Sequence, residues 1–209
     1  MIRRSLLSGL FGLALAFNAL PAFAQDAAVD PAVAPVRIAL ETGMGRIVIE
    51  TDPRAPITAA NFVRYADERR FDGAHFYRGM TVAPGYALVQ GGTSALPDRA
   101  LPPIAHEPTS QTGLSHVNGA VSMAAAAPGQ ATGDFFIIMG DLSSLDAGKT
   151  APDDQGFAVF GRVVEGMEVV ETILAAPKSP TEGEGVMRGQ MLDPRVPIVT
   201  ARRVETPAP

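Results

Sequence analysis

The stretch Val36-Arg37-Ile38-Ala39-Leu40-Glu41-Thr42-Gly43-Met44-Gly45-Arg46-Ile47-Val48-Ile49-Glu50 alternates apolar and polar positions on both sides of a glycine-containing break. Val36, Ile38 and Leu40 share one face, with Arg37, Ala39 and Glu41 on the other; after Thr42-Gly43-Met44-Gly45 the pattern resumes at Ile47 and Ile49 against Arg46, Val48 and Glu50. A period of two interrupted by a turn predicts a β-hairpin. Gly43-x-Gly45 is no dinucleotide loop, because Val48 stands where a third glycine is needed and a strand follows instead of a helix.

On the N-terminal side of the hairpin, residues 25–35 are rich in Ala, Asp and Pro without periodicity and read as a flexible leader, so the folded domain is expected over 36–205. Ahead of it, Arg3 and Arg4 precede an apolar run from Leu6 to Leu20, and Ala22-Phe23-Ala24 supplies a small-x-small cleavage pattern before Gln25. Residues 1–24 therefore read as a cleaved secretory signal. The run is broken by Asn18 and Pro21 and is short of the ~20 residues that span a bilayer, so no stable membrane anchor is expected and a periplasmic destination is.

The whole chain has 209 residues, enough for one domain with a sizeable core. Its net charge of −5 leaves no cationic surplus for phosphates, which argues against a nucleic-acid partner and leans towards basic polypeptide segments. It has no Cys, so neither a disulfide framework nor a thiolate site is available. No heptad or apolar stripe calls for an obligate partner, and a monomer is expected.

On the C-terminal side of the hairpin, Pro56 to Ala66 has a Pro and Thr start signal and places Phe62, Tyr65 and Ala66 on one face of a helix. Short apolar stretches at Ala87 to Val89, Gly119 to Met123, Phe135 to Met139 and Phe157 to Val164 are strand candidates. A second helix over Gly166 to Leu174 shares Val169, Val170, Ile173 and Leu174 on one face, and Val196 to Val204 is expected to return as a strand beside the N-terminal hairpin. Many short strands with two separated helices predict a mainly β protein, a closed barrel capped by two helices.

Nucleophile and metal motifs are missing. His106-Glu107 is followed by Pro108 and has Ser110 four positions on, which breaks the zinc-helix pattern twice. His75, His106 and His116 are too dispersed for a metal and read as surface or capping residues. No Gly-x-Ser-x-Gly elbow or phosphate loop occurs, and Asp153-Asp154 reads as a solvated turn. No cofactor or metal is expected.

What the chain does carry is an ordered series: Phe71-Asp72-Gly73-Ala74-His75-Phe76-Tyr77-Arg78, Gln90-Gly91-Gly92, Val121-Ser122-Met123-Ala124, Thr132-Gly133-Asp134-Phe135-Phe136-Ile137, Leu145-Asp146, and Val159-Phe160-Gly161-Arg162-Val163 with Gly166-Met167. In order and approximate spacing this resembles the cyclophilin-type peptidyl-prolyl isomerases over roughly residues 36 to 204. The resemblance implies an eight-stranded barrel closed by two helices, and an enzyme that speeds rotation about X-Pro bonds in unfolded or flexible polypeptides without a cofactor. It implies Arg78 as the catalytic donor to the twisted amide, Gln90 as its neighbour on the substrate backbone, Phe136 and Leu145 as walls of the proline pocket, and Met123 as support from the core.

The sequence also departs from the family pattern. Between Arg78 and Gln90 it is longer, and Tyr86 and Leu88 are the candidates for pocket positions that the family fills with a Phe-Met-type pair. Ala125 stands where an Asn is usual, a position that serves through its backbone; Ser144 and Phe157 stand near the pocket where Trp or His is common. Asp134 replaces a common Gln, and if it paired with Arg78 it would draw the guanidinium away from substrate. Two readings follow: an isomerase for exported proteins, or a cyclophilin-like proline-peptide binding module or chaperone with little turnover.

Overall fold

The alternation of residues 37–51 is realised in a computed structural model, which describes residues 34–205, as strands β1 (Arg37–Thr42) and β2 (Gly45–Thr51) paired antiparallel. The expected signal segment and all but the last two residues of the leader lie outside the described residues. Six more strands follow: β3 (Ala74–Ala83), β4 (Tyr86–Gly92), β5 (Ala120–Met123), β6 (Phe135–Met139), β7 (Ala158–Glu165) and β8 (Met191–Val204). They close into a barrel in the order β1-β2-β7-β5-β6-β4-β3-β8, every neighbouring pair antiparallel. Closure leaves the barrel without an unpaired edge. The returning strand pairs with β1 as the sequence predicts, but it starts five residues earlier, at Met191 instead of Val196, because Pro194 and Pro197 hide its alternation.

The barrel interior is filled by Ile38, Leu40, Ile47, Ile49, Phe76, Val89, Val121, Phe135, Ile137, Phe160 and Ile198, all fully or nearly fully buried. Helix α1 (Pro56–Asp67) covers one end with Phe62, Val63, Tyr65 and Ala66, and Phe62 packs against Phe71, Phe135 and Phe160 with ring centroids 5.0–5.4 Å apart. Its N-terminus has no local cap. Instead the buried carboxylate of Glu107 accepts the N–H groups of Ile57 (3.1 Å) and Thr58 (2.7 Å) and the Thr58 hydroxyl (2.6 Å), supplying negative charge where the helix dipole is positive. The residue that failed as part of a zinc motif is thus a helix cap.

Besides α1 and the expected late helix, here α3 (Met167–Ala175), there is a third, the single turn α2 (Thr109–Thr112), too short to leave a periodic signal. Helix α3 buries Val170 and Ile173; Val169 and Leu174 pack at the edge of the same cluster. Gly161 marks a close approach: a Cβ there would lie 2.5 Å from the Glu50 carbonyl oxygen, so a side chain would push β7 off β2.

Because side chains alternate along each strand, β4, β5 and β6 also carry an outer face. Leu88, Phe136, Ile138, Val159, Ala120 and Leu142 form a second apolar cluster on it, outside the barrel. The candidate site lies on this face.

Candidate active site

Register places four residues in one row across four adjacent strands: Arg78 of β3 opposes Gln90 of β4, Gln90 opposes Phe136 of β6, and Phe136 opposes Ser122 of β5. The next row is Met80, Leu88 and Ile138. Neighbouring strands lie ~4.8 Å apart, so each row spans the width of a short peptide. Arg78 joins its row because the β3 register shifts between Phe76 and Arg78, a bulge that turns the side chain onto the outer face. Over these rows lies a cleft of about 500 Å³ lined by Arg78, Met80, Leu88, Gln90, Phe136 and Leu145, together with Phe157, Gln130, Thr132 and Asp134.

The guanidinium is fixed by neutral acceptors. Arg78 Nε donates to Gln190 Oε1 (2.8 Å), Nη1 to Gln90 Oε1 (3.0 Å) and Nη2 to Met80 Sδ (3.2 Å). Gln90 in turn donates from Nε2 to the Tyr77 hydroxyl (2.8 Å), and Gln190 donates from Nε2 to the Val186 carbonyl (2.7 Å). Among the described residues no carboxylate lies within 4.0 Å of Arg78. Burial lowers its pKa from the ordinary arginine value, yet a guanidinium remains charged at any working pH. A guanidinium has five N–H groups. Three are engaged here, and Nη1 and Nη2 each keep one for a ligand. Burial also pushes the Tyr77 hydroxyl well above its usual range, so it stays a neutral acceptor for Gln90.

The apolar wall is clamped from behind. The Phe136 ring meets Phe157 edge-on (centroids 5.4 Å apart, 90°) and stacks against His116 (5.9 Å, 9°). His116 is fully buried, its Nδ1 2.6 Å from Asp146 Oδ1 and its Nε2 3.0 Å from Ser122 Oγ. Burial lowers its pKa, so the neutral ring donates from Nδ1 to the carboxylate and accepts the Ser122 hydroxyl proton at Nε2. Ser122, His116 and Asp146 are the residue types of a hydrolytic triad, but Ser122 is fully buried and no substrate reaches it. The chain ties β5 to the loop that carries Leu145, and it corrects the expectation of a surface or capping role for His116.

A family model described as "Cyclophilin type peptidyl-prolyl cis-trans isomerase/CLD" matches residues 37–201. The chain belongs to the cyclophilin family. A peptidyl-prolyl cis-trans isomerase of Acinetobacter baylyi is 36% identical over 152 residues, 71% of this chain and 77% of that protein. Peptidyl-prolyl cis-trans isomerase A of Dickeya dadantii is 37% identical over 158 residues, 73% of this chain and 75% of that one. In fold, a crystal structure of a Cryptosporidium parvum cyclophilin-type isomerase aligns with a TM-score of 0.64 at 16% identity, covering 83% of this chain and 100% of that one. A structure of the same parasite protein in the presence of the dipeptide Ala-Pro aligns equally well, at 17% identity over 81% of this chain and 99% of that one.

In this cyclophilin, Arg78, Gln90, Phe136, Leu145, Leu88, Ala125 and Phe157 all line the cleft. Met123 does not: it is buried inside the barrel and forms part of the floor of an adjoining depression. Tyr86 lies outside the cleft as well. It shares a strand face with Leu88 and Gln90, but four residues at ~3.4 Å each put it some 14 Å from Gln90, in a separate hollow with Thr81 and Gly140. Asp134 does not pair with Arg78. Its Oδ1 accepts the Ser94 N–H at 2.9 Å, which anchors the carboxylate apart from the guanidinium.

Sequence reading missed Met80 and Gln190. Met80 carries a usable signal, standing two residues after Arg78 and so on the same strand face. Gln190 carries none, since it lies 112 residues from Arg78 in a turn-rich segment.

Proposed function

We propose that this cyclophilin accelerates cis/trans rotation about X-Pro bonds in exported polypeptides, with Arg78 stabilising the twisted amide. A trans peptide resists rotation by ~18–20 kcal/mol because the nitrogen lone pair is delocalised into the carbonyl. In the twisted state that conjugation is broken and the nitrogen regains its lone pair, a hydrogen-bond acceptor that the planar amide lacks. A donor set at that point binds the transition state more strongly than either ground state, which is what lowers a barrier. The observation that carries the reading is the row itself: a fixed, carboxylate-free guanidinium with two unused N–H groups stands beside Gln90 and the apolar surface of Phe136.

The proline ring seats on Phe136 between Leu145, Phe157, Leu88 and Met80, giving up apolar surface to a site of matching character. Gln90, held by Tyr77, orients Arg78 and offers its amide to the substrate backbone. No bond to the substrate forms or breaks, so neither a nucleophile nor an acid-base pair is needed. The alternative of a binding module with little turnover draws on the altered residues around Gln90 and Asp134; against it stands the separate anchoring of Asp134 and Arg78, which leaves guanidinium N–H groups for substrate.

NMR exchange spectroscopy on an Ala-Pro peptide tests the reading: catalytic amounts of the protein should raise the cis/trans exchange rate far above the uncatalysed process, which takes tens to hundreds of seconds. Binding with an unchanged rate would move the function to the binding module. The export reading rests on the signal-like residues 1–24 and includes action as a soluble monomer in the periplasm. Material recovered from the periplasm should begin at Gln25; retention of Met1 in the cytoplasm would contradict export.

A further inference from the structure

We infer that Asp134 gives this isomerase a preference for polypeptides with a lysine or arginine one or two residues from the proline, an inference that rests on the isomerase reading of the same cleft. Asp134 immediately precedes β6, two residues before Phe136 and so ~7 Å from it along the extended chain, and both line the cleft. Extended substrate advances ~3.3 Å per residue, so a side chain one or two positions from the proline reaches this point.

Asp134 and Arg78 line one cleft, yet each is held away from the other: the carboxylate by the Ser94 N–H, the guanidinium by Gln190 and Gln90. Among the described residues Asp134 has no cationic partner within 4.0 Å. Beside it stands Gly92, where any Cβ would collide with Asp134 Oδ1 and the Gly133 carbonyl oxygen, so only a glycine leaves the carboxylate room in this position. Gln130 and Thr132 line the same cleft with neutral polar groups, and among the described residues that line it Arg78 is the only lysine or arginine. A half-buried carboxylate in such surroundings favours a substrate cation over a neutral or acidic side chain, and the chain's net charge of −5 favours the encounter. The groups that bear on its ionisation are few. Tyr77 of β3 and Tyr65 of α1 feel its charge, Arg78 shares the cleft, and burial raises its pKa to about 6.

The test uses the full mature protein and a set of alanine-based peptides with one proline and a single Lys, norleucine or Glu at each of the two positions on either side. Exchange spectroscopy gives kcat/KM, and chemical-shift titration gives Kd. At one of these positions Lys should exceed Glu by about 3- to 10-fold in both, with norleucine between, and the ratio should shrink between about 0.02 M and about 0.5 M salt. Asp134→Asn, which keeps the acceptor for Ser94, should bring the Lys:Glu ratio towards one; being a ratio, it is insensitive to any general change in activity. Should that variant fail to fold, the wild-type ratio at about pH 5 against about pH 8 takes its place, with the preference weaker at the lower pH. A ratio near one at all four positions, or one unmoved by both Asp134→Asn and salt, overturns the inference. If no peptide is accelerated while the Kd values still follow charge, the isomerase reading falls and the cation preference stands.

Discussion

Asp134 shows how a single residue trades stability for a surface that can recognise something. Burial raises its folded pKa to about 6, whereas an unfolded aspartate titrates near 3.9. The native state therefore holds the proton more tightly, and stability is lost as pH rises through that window. Above about pH 6 the whole cost is present; below about pH 4 it has vanished. Two pKa units correspond to about 3 kcal/mol at most, and contact with cleft water brings the expected figure to about 1–3 kcal/mol. Asp134→Asn should accordingly be more stable than wild type by about 1–3 kcal/mol at neutral pH and above, with the gap closing towards about pH 4. Urea unfolding across pH measures this, and a gap that widens on acidification would contradict it. His116 runs the other way: its lowered pKa means the unfolded chain takes up a proton first, so this residue's contribution is lost as pH falls below about 6.5.

At the scale of elements, helix α1 depends on a residue that its own sequence does not contain. Glu107→Ala would leave the Ile57 and Thr58 N–H groups and the buried Thr58 hydroxyl without their acceptor. The expected cost is about 2–3 kcal/mol of folding stability, with Glu107→Gln costing less because one acceptor oxygen remains. Chemical denaturation reads both, and a loss below about 0.5 kcal/mol for the alanine variant would show the cap to be dispensable.

The same contrast between local and remote explains what could be read from the chain alone. The β1–β2 hairpin and both long helices declared themselves because the period of two and the helical stripe are local consequences of burying one face. The one-turn helix at Thr109 and the first residues of β8 did not, since neither presents a period. Within the site, Arg78, Gln90 and Phe136 were legible only through their order and spacing along the chain. The bulge that brings Arg78 into register with Gln90, and the hold of Gln190 on its Nε, depend on contacts between distant strands that no local pattern encodes. Tyr86, a candidate only through its position in the family pattern, failed for a related reason: nothing in the local sequence shows where along β4 the cleft ends.

At the scale of the whole molecule, a rigid closed barrel packed with aromatic side chains serves as a plate on whose outer face the chemistry is laid out. The interior cluster and the site cluster meet back to back in β6, with Phe135 and Ile137 turned inward and Phe136 and Ile138 turned outward. This rigidity suits the proposed mechanism, in which a donor and an apolar wall hold fixed positions while the substrate twists between them.

The central claim is that the Arg78 guanidinium stabilises the twisted amide. Its most direct test is NMR exchange spectroscopy on a saturating Ala-Pro peptide with wild type, Arg78→Lys and Arg78→Ala, each checked for fold by its amide spectrum. Lysine keeps the charge but cannot hold Gln190 and Gln90 while donating to the substrate. Both variants should bind the peptide within a few-fold of wild type and lose about 10²- to 10³-fold in the catalysed exchange rate, the usual cost of removing one such donor. Folded variants that bind the peptide and retain the wild-type rate would contradict the claim and assign the catalysis to groups other than Arg78.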